Sequence, residues 1–181
     1  MKKLALFLFV GLALTSCGST STTTDESTKA YSGSGFTINI PTAWTVVDKN
    51  ELPAIKSGQV ELAVSSSDIS SGFANNLVII GQELSEKTTS KRYSLINYSL
   101  SNGEYIEFLK LNEKTITFSD KDTSNLYTFE AKYNTATPKR KFLQTAKICD
   151  NKVYLLTIGI ALGTTDTTRY ENLITSFNCI K

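Results

Sequence analysis

Histidine is absent from this chain of 181 residues. Imidazole is the side chain whose ordinary pKa suits acid/base catalysis near neutral pH, and it is the commonest metal ligand in proteins. Its absence excludes Ser-His-Asp and Cys-His catalytic sites and histidine-based zinc sites. Carboxylate, lysine or tyrosine chemistry stays open, but no pattern of residues points to it. The sequence therefore predicts no catalytic residue, no cofactor and no metal site, and it favours a protein that is not an enzyme.

Cysteine is scarce, and the first of the three cysteines follows a distinctive N-terminal segment. Lys2 and Lys3 precede an uncharged apolar run, 4–14, which is too short for an ordinary membrane span. The run ends in Leu14-Thr15-Ser16-Cys17. This arrangement resembles the secretory signal of a bacterial lipoprotein, in which the cysteine receives the lipid and becomes the new N-terminus. We therefore expect residues 1–16 to be a signal peptide and Cys17 to carry a diacylglycerol and acyl anchor in the membrane.

An excess of charge of either sign is also missing. The chain has 19 Lys and Arg residues against 17 Asp and Glu residues, and Lys2 and Lys3 belong to the predicted signal. Removing that signal leaves basic and acidic side chains in balance. The sequence therefore gives no support for binding to nucleic acid.

The two remaining cysteines, Cys149 and Cys179, are candidates for a disulfide in an exported protein. Such a bond would close a loop of about 31 residues and stabilise the fold by roughly 3–4 kcal/mol. Two buried free thiols are the alternative. No C-x-x-C spacing is present, so we expect a structural role and not a redox role.

The chain divides by composition into three parts. Residues 1–16 form the signal, residues 17–35 comprise the lipidated cysteine and a tether rich in Ser, Thr and Gly, and residues 36–181 form one globular domain. The tether cannot bury apolar surface, so it would let the domain stand away from the membrane.

Alternating apolar and polar residues predict a sheet-rich domain. Phe36, Ile38 and Ile40 indicate a first strand, which we expect to form a hairpin with a second strand at Trp44–Val47. A two-residue turn, Asp150-Asn151, should join the last two long strands. The predicted strands after the first hairpin are 60–65, 77–84, 105–111, 115–119, 126–133, 141–149 and 153–162, and the last of these should lie centrally because both of its faces are apolar.

Two segments have helical periodicity. In 88–102, the residues Tyr93, Ile96 and Leu100 share one face, Thr88 to Ser90 offer N-cap oxygens, and Gly103 is a natural stop. In 166–177, apolar residues at 170, 173, 174 and 177 share a face. The sum is a single α+β domain in which helices cover a central antiparallel sheet.

Two parts of the domain resemble the PsbP-like family, which is named after an extrinsic photosystem II subunit. The opening Gly35-Phe36-Thr37-Ile38-Asn39-Ile40-Pro41-Thr42-Ala43-Trp44 is similar to the family's G-F-x-I-x-x-P-x-x-W segment. The end, Lys152-Val153-Tyr154-Leu155-Leu156-Thr157 with Tyr170 and Ser176-Phe177, is similar to its last strand and helix. The resemblance covers about residues 35–180 and implies an α/β/α sandwich. Family members share attachment to larger partners and no common reaction, so the resemblance implies no functional residue.

Three other groups of residues have both a functional and a structural interpretation. Asp120-Lys121-Asp122 invites a calcium loop, but Asn125 and Ala131 stand where such a loop needs Gly and Glu, so a solvated turn is the better interpretation. Lys139-Arg140-Lys141 could contact lipid headgroups or an acidic partner, but a solvated loop and strand edge is the better interpretation. Four aromatic residues could line a pocket, but core packing is the default: Trp44, Tyr154, Tyr170 and Phe177.

The leading functional hypothesis is a lipid-anchored protein of the bacterial cell envelope that binds or stabilises a protein complex. The alternative is a module that binds a small hydrophobic or envelope-derived ligand between the sheet and a helix. Gly18 follows Cys17 where aspartate would favour retention in the inner membrane, which indicates the periplasmic face of the outer membrane in a two-membrane envelope. In a one-membrane envelope the protein would sit on the outer face of the plasma membrane.

Overall fold

The computed structural model describes residues 27–48, 50, 52, 55, 57–70 and 73–180. The predicted signal peptide and Cys17 lie outside these residues. The described part forms two helices, α1 (Ser90–Glu104) and α2 (Thr168–Thr175), and ten strands. The strands are β1 (Thr28–Gly33), β2 (Phe36–Pro41), β3 (Trp44–Val46), β4 (Gln59–Ser70), β5 (Phe73–Glu83), β6 (Ile106–Thr117), β7 (Thr123–Lys132), β8 (Arg140–Cys149), β9 (Lys152–Ile160) and β10 (Asn178–Cys179).

The strands form two antiparallel sheets. A small sheet has the order β1-β2-β10, and a large sheet has the order β3-β4-β5-β9-β8-β7-β6. Strand β9 is the fourth of seven, so its predicted central place is confirmed. The turn at Asp150-Asn151 joins β8 to β9 as predicted, and Asp150 has a φ of 53° in the left-handed region. Strand β6 is continuous, whereas the sequence predicted two short strands there.

The small sheet corrects two predictions about the start of the domain. Residues 28–33, placed in the tether by composition, form β1 and pair with β2. Backbone hydrogen bonds need no apolar side chains, so a polar segment can form this strand. The predicted hairpin between β2 and the Trp44 strand is wrong, because β1 and β10 occupy both edges of β2. Strand β3 crosses to the large sheet, where Trp44 lies opposite Ser66.

The main core lies between the large sheet and a layer formed by α2 and the small sheet. Helix α2 buries Tyr170, Leu173 and Ile174. The ring of Phe177 stacks on Phe36 of β2 with 4.9 Å between centroids. The four aromatic residues that the sequence assigned to the core by default are all buried: Trp44, Tyr154, Tyr170 and Phe177.

Helix α1 covers the opposite face of the large sheet, over β7 and β8. An aromatic cluster fills the space beneath it. Tyr98 of α1 stacks on Tyr127 of β7 with 4.1 Å between ring centroids, and Tyr105 stacks on Phe142 at 5.4 Å. The large sheet is therefore covered by helices on both faces, which confirms the predicted α+β fold class.

Candidate interaction surface

The buried face of α1 is made of serines. Ser90, Ser94 and Ser101 are its buried residues. Ser101 donates a hydrogen bond from Oγ to Gln144 Oε1 at 3.1 Å. The same amide oxygen accepts a bond of 3.0 Å from Asn97 Nδ2. Gln144 of β8 is buried beneath the helix, and a buried polar group needs a hydrogen-bond partner, which Asn97 and Ser101 supply.

Two tyrosines fix the rotation of α1 about its own axis. On one side, the ring of Tyr98 stacks on Tyr127 and meets Phe108 edge-on at 5.5 Å. On the other side, Tyr93 donates from its hydroxyl to Gln82 Oε1 at 3.1 Å, and burial raises the pKa of this hydroxyl. The helix is thus held along both flanks by contacts with the sheet.

This rotation leaves three aliphatic side chains of α1 in solvent. We call Leu95, Ile96 and Leu100 the outer face of α1; they are 49%, 47% and 60% exposed. Ile96 and Leu100 are four residues apart and therefore neighbours on the helix surface. A helix with one exposed face normally turns its polar residues outward. Helix α1 departs from this pattern, because it exposes these aliphatic side chains beside Lys91 and Arg92.

Of the three residues that the sequence places on one helical face, Ile96 and Leu100 therefore lie largely in solvent. The helical period itself was identified correctly, and Thr89 accepts a bond from the Arg92 N–H as an N-cap. The direction could not be read from apolar spacing alone. The serines at 90, 94 and 101 form an equally regular stripe, and that stripe is the signal that sequence reasoning missed.

Asp120-Lys121-Asp122 forms an exposed turn between β6 and β7, as predicted, and an ion-pair network joins its two aspartates to β8. The ammonium group of Lys147 lies 2.7 Å from Asp120 Oδ2 and 2.9 Å from Asp122 Oδ2. Lys147 is only 2% exposed, and its Nζ lies 5.3 Å from the centroid of the Phe118 ring. Each carboxylate therefore has a cation from the protein itself. Among the described residues, no group of three or more acidic or cysteine side chains could hold a metal ion.

The same network fixes the start of α1. Ser90 donates from Oγ to Asp122 Oδ2 at 2.6 Å and accepts from the backbone N–H of Ile148 at 2.9 Å. This one side chain thereby joins the first turn of the helix to the β6–β7 loop and to β8. Asp122 is thus a structural residue that helps to set the position of the outer face of α1.

Acid should weaken this network through Asp122. Partial burial raises the pKa of its carboxyl, but hydrogen bonds from Ser90 and Lys147 outweigh burial and hold the pKa below the ordinary 3.8. The unfolded state then binds more protons, so the stability supplied by Asp122 is present above pH 3.8 and is lost as the pH falls through the lowered pKa. We expect Asp122→Asn to flatten the acid limb of the stability profile, measured by urea unfolding at a series of pH values. A slope equal to that of the wild type would contradict this assignment, and Asp150→Asn, on the exposed β8–β9 turn, is the control.

The basic triplet at the start of β8 is engaged within the fold. The guanidinium of Arg140 lies over the Phe73 ring, 4.4 Å from its centroid. Lys141 donates from Nζ to the backbone oxygen of Thr164. Lys139 lies in the loop and Arg140 begins β8, and all three residues remain partly exposed, so two of them combine contact with the fold and contact with solvent.

Cys149 and Cys179 form a disulfide, with 2.00 Å between their sulfur atoms. Cys149 ends β8 of the large sheet, and Cys179 belongs to β10 of the small sheet. The bond therefore joins the two sheets, and neither sulfur is available as a thiol.

Two recesses open on the described surface. One of about 400 Å³ is lined by polar residues beside the β8–β9 turn, including Thr88 and Asp150. The other, of about 210 Å³, lies between β2 and α2, beside Asn39 and Arg169. Both are away from the space between α1 and the sheet, which side chains of the aromatic cluster occupy.

Among the described residues, no helix is long and apolar enough to cross a membrane.

The fold is similar to that of a cyanobacterial PsbP protein, CyanoP from Synechocystis sp. PCC 6803, whose structure was determined in solution. The two share a TM-score of 0.59 and 19% sequence identity over 92% of this chain and 99% of CyanoP. At this level of identity the likeness shows the fold, and it supports the PsbP-like architecture expected from the sequence. A crystal structure of a Bacteroides thetaiotaomicron protein has a TM-score of 0.46 and 9% identity over 81% of this chain and 45% of its own. No protein-family model and no curated protein matches the sequence.

Proposed function

We propose that this protein is a lipid-anchored accessory protein of the bacterial cell envelope, without enzymatic activity, that binds or stabilises a protein complex through the outer face of α1. The single observation that carries this proposal is the cluster of exposed aliphatic side chains on a helix whose buried residues are serines. Helix α1 buries three serines and exposes Leu95, Ile96 and Leu100. Clustered apolar side chains on an exposed surface are a common mark of an interaction site.

The energetics support a docking role for this face. Full burial of an aliphatic side chain of this size stabilises a contact by roughly 1.5–3 kcal/mol. Ile96 and Leu100 each have about half of their surface in water, so a partner that covers them would bury further apolar surface. The helix is pinned to the sheet by Tyr93, Asn97 and Tyr98. A partner would therefore meet a preformed surface and would not have to order it.

The anchor defines where the partner should be found. The N-terminal segment ending at Cys17 predicts lipid attachment, and Gly18 after it favours the periplasmic face of the outer membrane in a two-membrane envelope. In a one-membrane envelope the same anchor would hold the domain on the outer face of the plasma membrane. The expected partner is accordingly an envelope protein.

The proposal predicts that Ile96→Gln combined with Leu100→Gln abolishes capture of the partner without destabilising the fold. Both side chains are largely in solvent, so the free energy of unfolding should change by less than about 0.5 kcal/mol. The measurement is in-cell crosslinking from a photoreactive residue at position 95, followed by purification of the tagged full chain. We expect one reproducible envelope protein in the wild type and a loss of at least tenfold in the double variant.

Two further variants make this result specific. Lys87→Gln changes an exposed polar residue that precedes the helix and lies outside its outer face, so it should leave capture intact. Cys17→Ser should move the protein out of the membrane fraction and lower capture. If crosslinking were as strong in the Ile96→Gln and Leu100→Gln double variant as in the wild type, the assignment of this face would be wrong. If Cys17→Ser still pelleted with membranes, the anchor would be wrong instead.

A further inference from the structure

Strand β6 is a long exposed edge of the large sheet. It has 12 residues, and all of them are exposed except Phe108 and Ile116. The strand at the other edge, β3, has three residues. Natural proteins usually shorten or cover their edge strands, because the outward backbone groups can pair with another strand. Strand β6 also exposes Ile106, Leu109 and Leu111, by 38%, 50% and 44%.

The charges of β6 are arranged symmetrically about its midpoint. The strand runs from Ile106 to Thr117, so its centre falls between Leu111 and Asn112. Lys110 and Glu113 stand at equal distances from that centre. An antiparallel pairing of the whole strand with an identical strand would therefore place each Lys110 opposite Glu113 of the other copy.

We propose that β6 pairs antiparallel with β6 of a second copy of this chain, about a twofold axis at the midpoint of the strand. The two large sheets then become one continuous sheet across the dimer. The inference stands on the geometry of β6 and is independent of the surface assigned to α1.

The side chains that must meet project from the same face of the sheet. Lys110 lies opposite Phe129 of β7, and Glu113 lies opposite Tyr127. Both β7 residues belong to the aromatic cluster under α1. A register shift between Lys110 and Asn112 lets two residues three apart share that face. A twofold axis perpendicular to the sheet leaves each side chain on the same side of the sheet. Lys110 of each copy therefore meets Glu113 of the other.

The charge pattern selects this register over its neighbours. Residues directly opposite across an antiparallel pair interact most strongly, and like charges there are destabilising. In the proposed register Leu109 faces Lys114 and Phe108 faces Thr115, so no like charges meet. A register shifted by two residues would place Lys110 opposite Leu111 or Thr115, and both Lys110–Glu113 pairs would be lost. The first of these registers would bring Glu107 opposite Lys114, but within each copy Glu107 already pairs with Lys132 and Lys114 with Glu171. Within one copy Lys110 already lies 2.6 Å from Glu113, so four charges of alternating sign would surround the axis.

The test is charge reversal and its rescue, with the full chain purified in detergent. We expect the wild type to sediment as a dimer in analytical ultracentrifugation. Lys110→Glu places four carboxylates around the axis and should raise the dimer dissociation constant at least tenfold. Adding Glu113→Lys exchanges the two charges and should restore the dimer. Lys87→Glu, an exposed position away from β6, should leave the dimer intact.

Crosslinking in native membranes tests the contact itself. A carbodiimide applied to cells that express ordinary and ¹⁵N-labelled chains should join Lys110 of one isotopic form to Glu113 of the other. A monomer at every concentration, or a dimer unaffected by Lys110→Glu, would overturn the proposal. A monomer that binds the strand of a different protein at β6 would overturn it as well. Circular dichroism of each variant separates loss of pairing from loss of folding.

Discussion

Replacing both Cys149 and Cys179 with serine should lower the free energy of unfolding by about 3–4 kcal/mol. The bond joins residues 30 apart in sequence, and its loss frees a loop of that size in the unfolded chain. The folded state also depends on it locally. Strand β10 has two residues, Asn178 and Cys179, and pairs only with Thr37 and Phe36 in the described structure. For a domain of this size the melting temperature should fall by about 10 °C.

Chemical denaturation with and without a reductant checks this prediction. The wild type should lose stability when a thiol reductant is added, whereas the double serine variant should be insensitive to it. The two proteins should then have the same midpoint under reducing conditions. Equal stability of the wild type and the variant under oxidising conditions would show that the bond adds nothing to the fold.

Much of the fold was predictable because it follows from local patterns. The β8–β9 hairpin is encoded by two apolar runs around Asp150-Asn151, and both strands form where they were expected. The buried face of α2 follows from the spacing of Tyr170, Leu173 and Ile174. In each case residues close in sequence determine the local structure, so it can be predicted without knowing which distant strands it contacts.

The predictions that were wrong depend on contacts with residues that are distant in the sequence. The pairing of β3 depends on β10, which lies more than 130 residues later and occupies the remaining edge of β2. The direction of the buried face of α1 follows from contacts with distant residues, among them Gln144, which Asn97 and Ser101 bond, and Tyr127, on which Tyr98 stacks. Apolar periodicity indicates that a helix is amphipathic, but it does not indicate whether the sheet beneath the helix presents polar or apolar side chains.

The candidate interaction surface was unpredictable for the same reason. The sequence places Ile96 and Leu100 on one face of the helix, but helical spacing does not indicate whether that face is buried. The β6 edge was hidden by the expectation of two short strands. Both surfaces become visible only when the exposure of each side chain is known.

The second large effect concerns the buried ammonium of Lys147. Removing both of its partners, with Asp120→Asn and Asp122→Asn together, should lower the free energy of unfolding by about 3 kcal/mol, because a buried charge would be left without a counter-charge. That value is at the low end for a buried pair, since the two carboxylates are partly in water while Lys147 is 2% exposed. Urea unfolding at neutral pH measures the loss.

Adding Lys147→Met to the double asparagine variant should recover most of that stability. Methionine fills a similar volume beside the Phe118 ring and has no charge to desolvate, and apolar replacement of a complete buried ion set is often neutral. The triple variant also isolates the role of the network in placing α1, because Ser90 keeps its bond from the Ile148 N–H. A triple variant no more stable than the double variant would show that the loss came from the β6–β7 loop and not from the uncompensated charge. If the triple variant recovers stability but no longer captures the partner, the charges of this network position the outer face of α1 as well as holding the fold together.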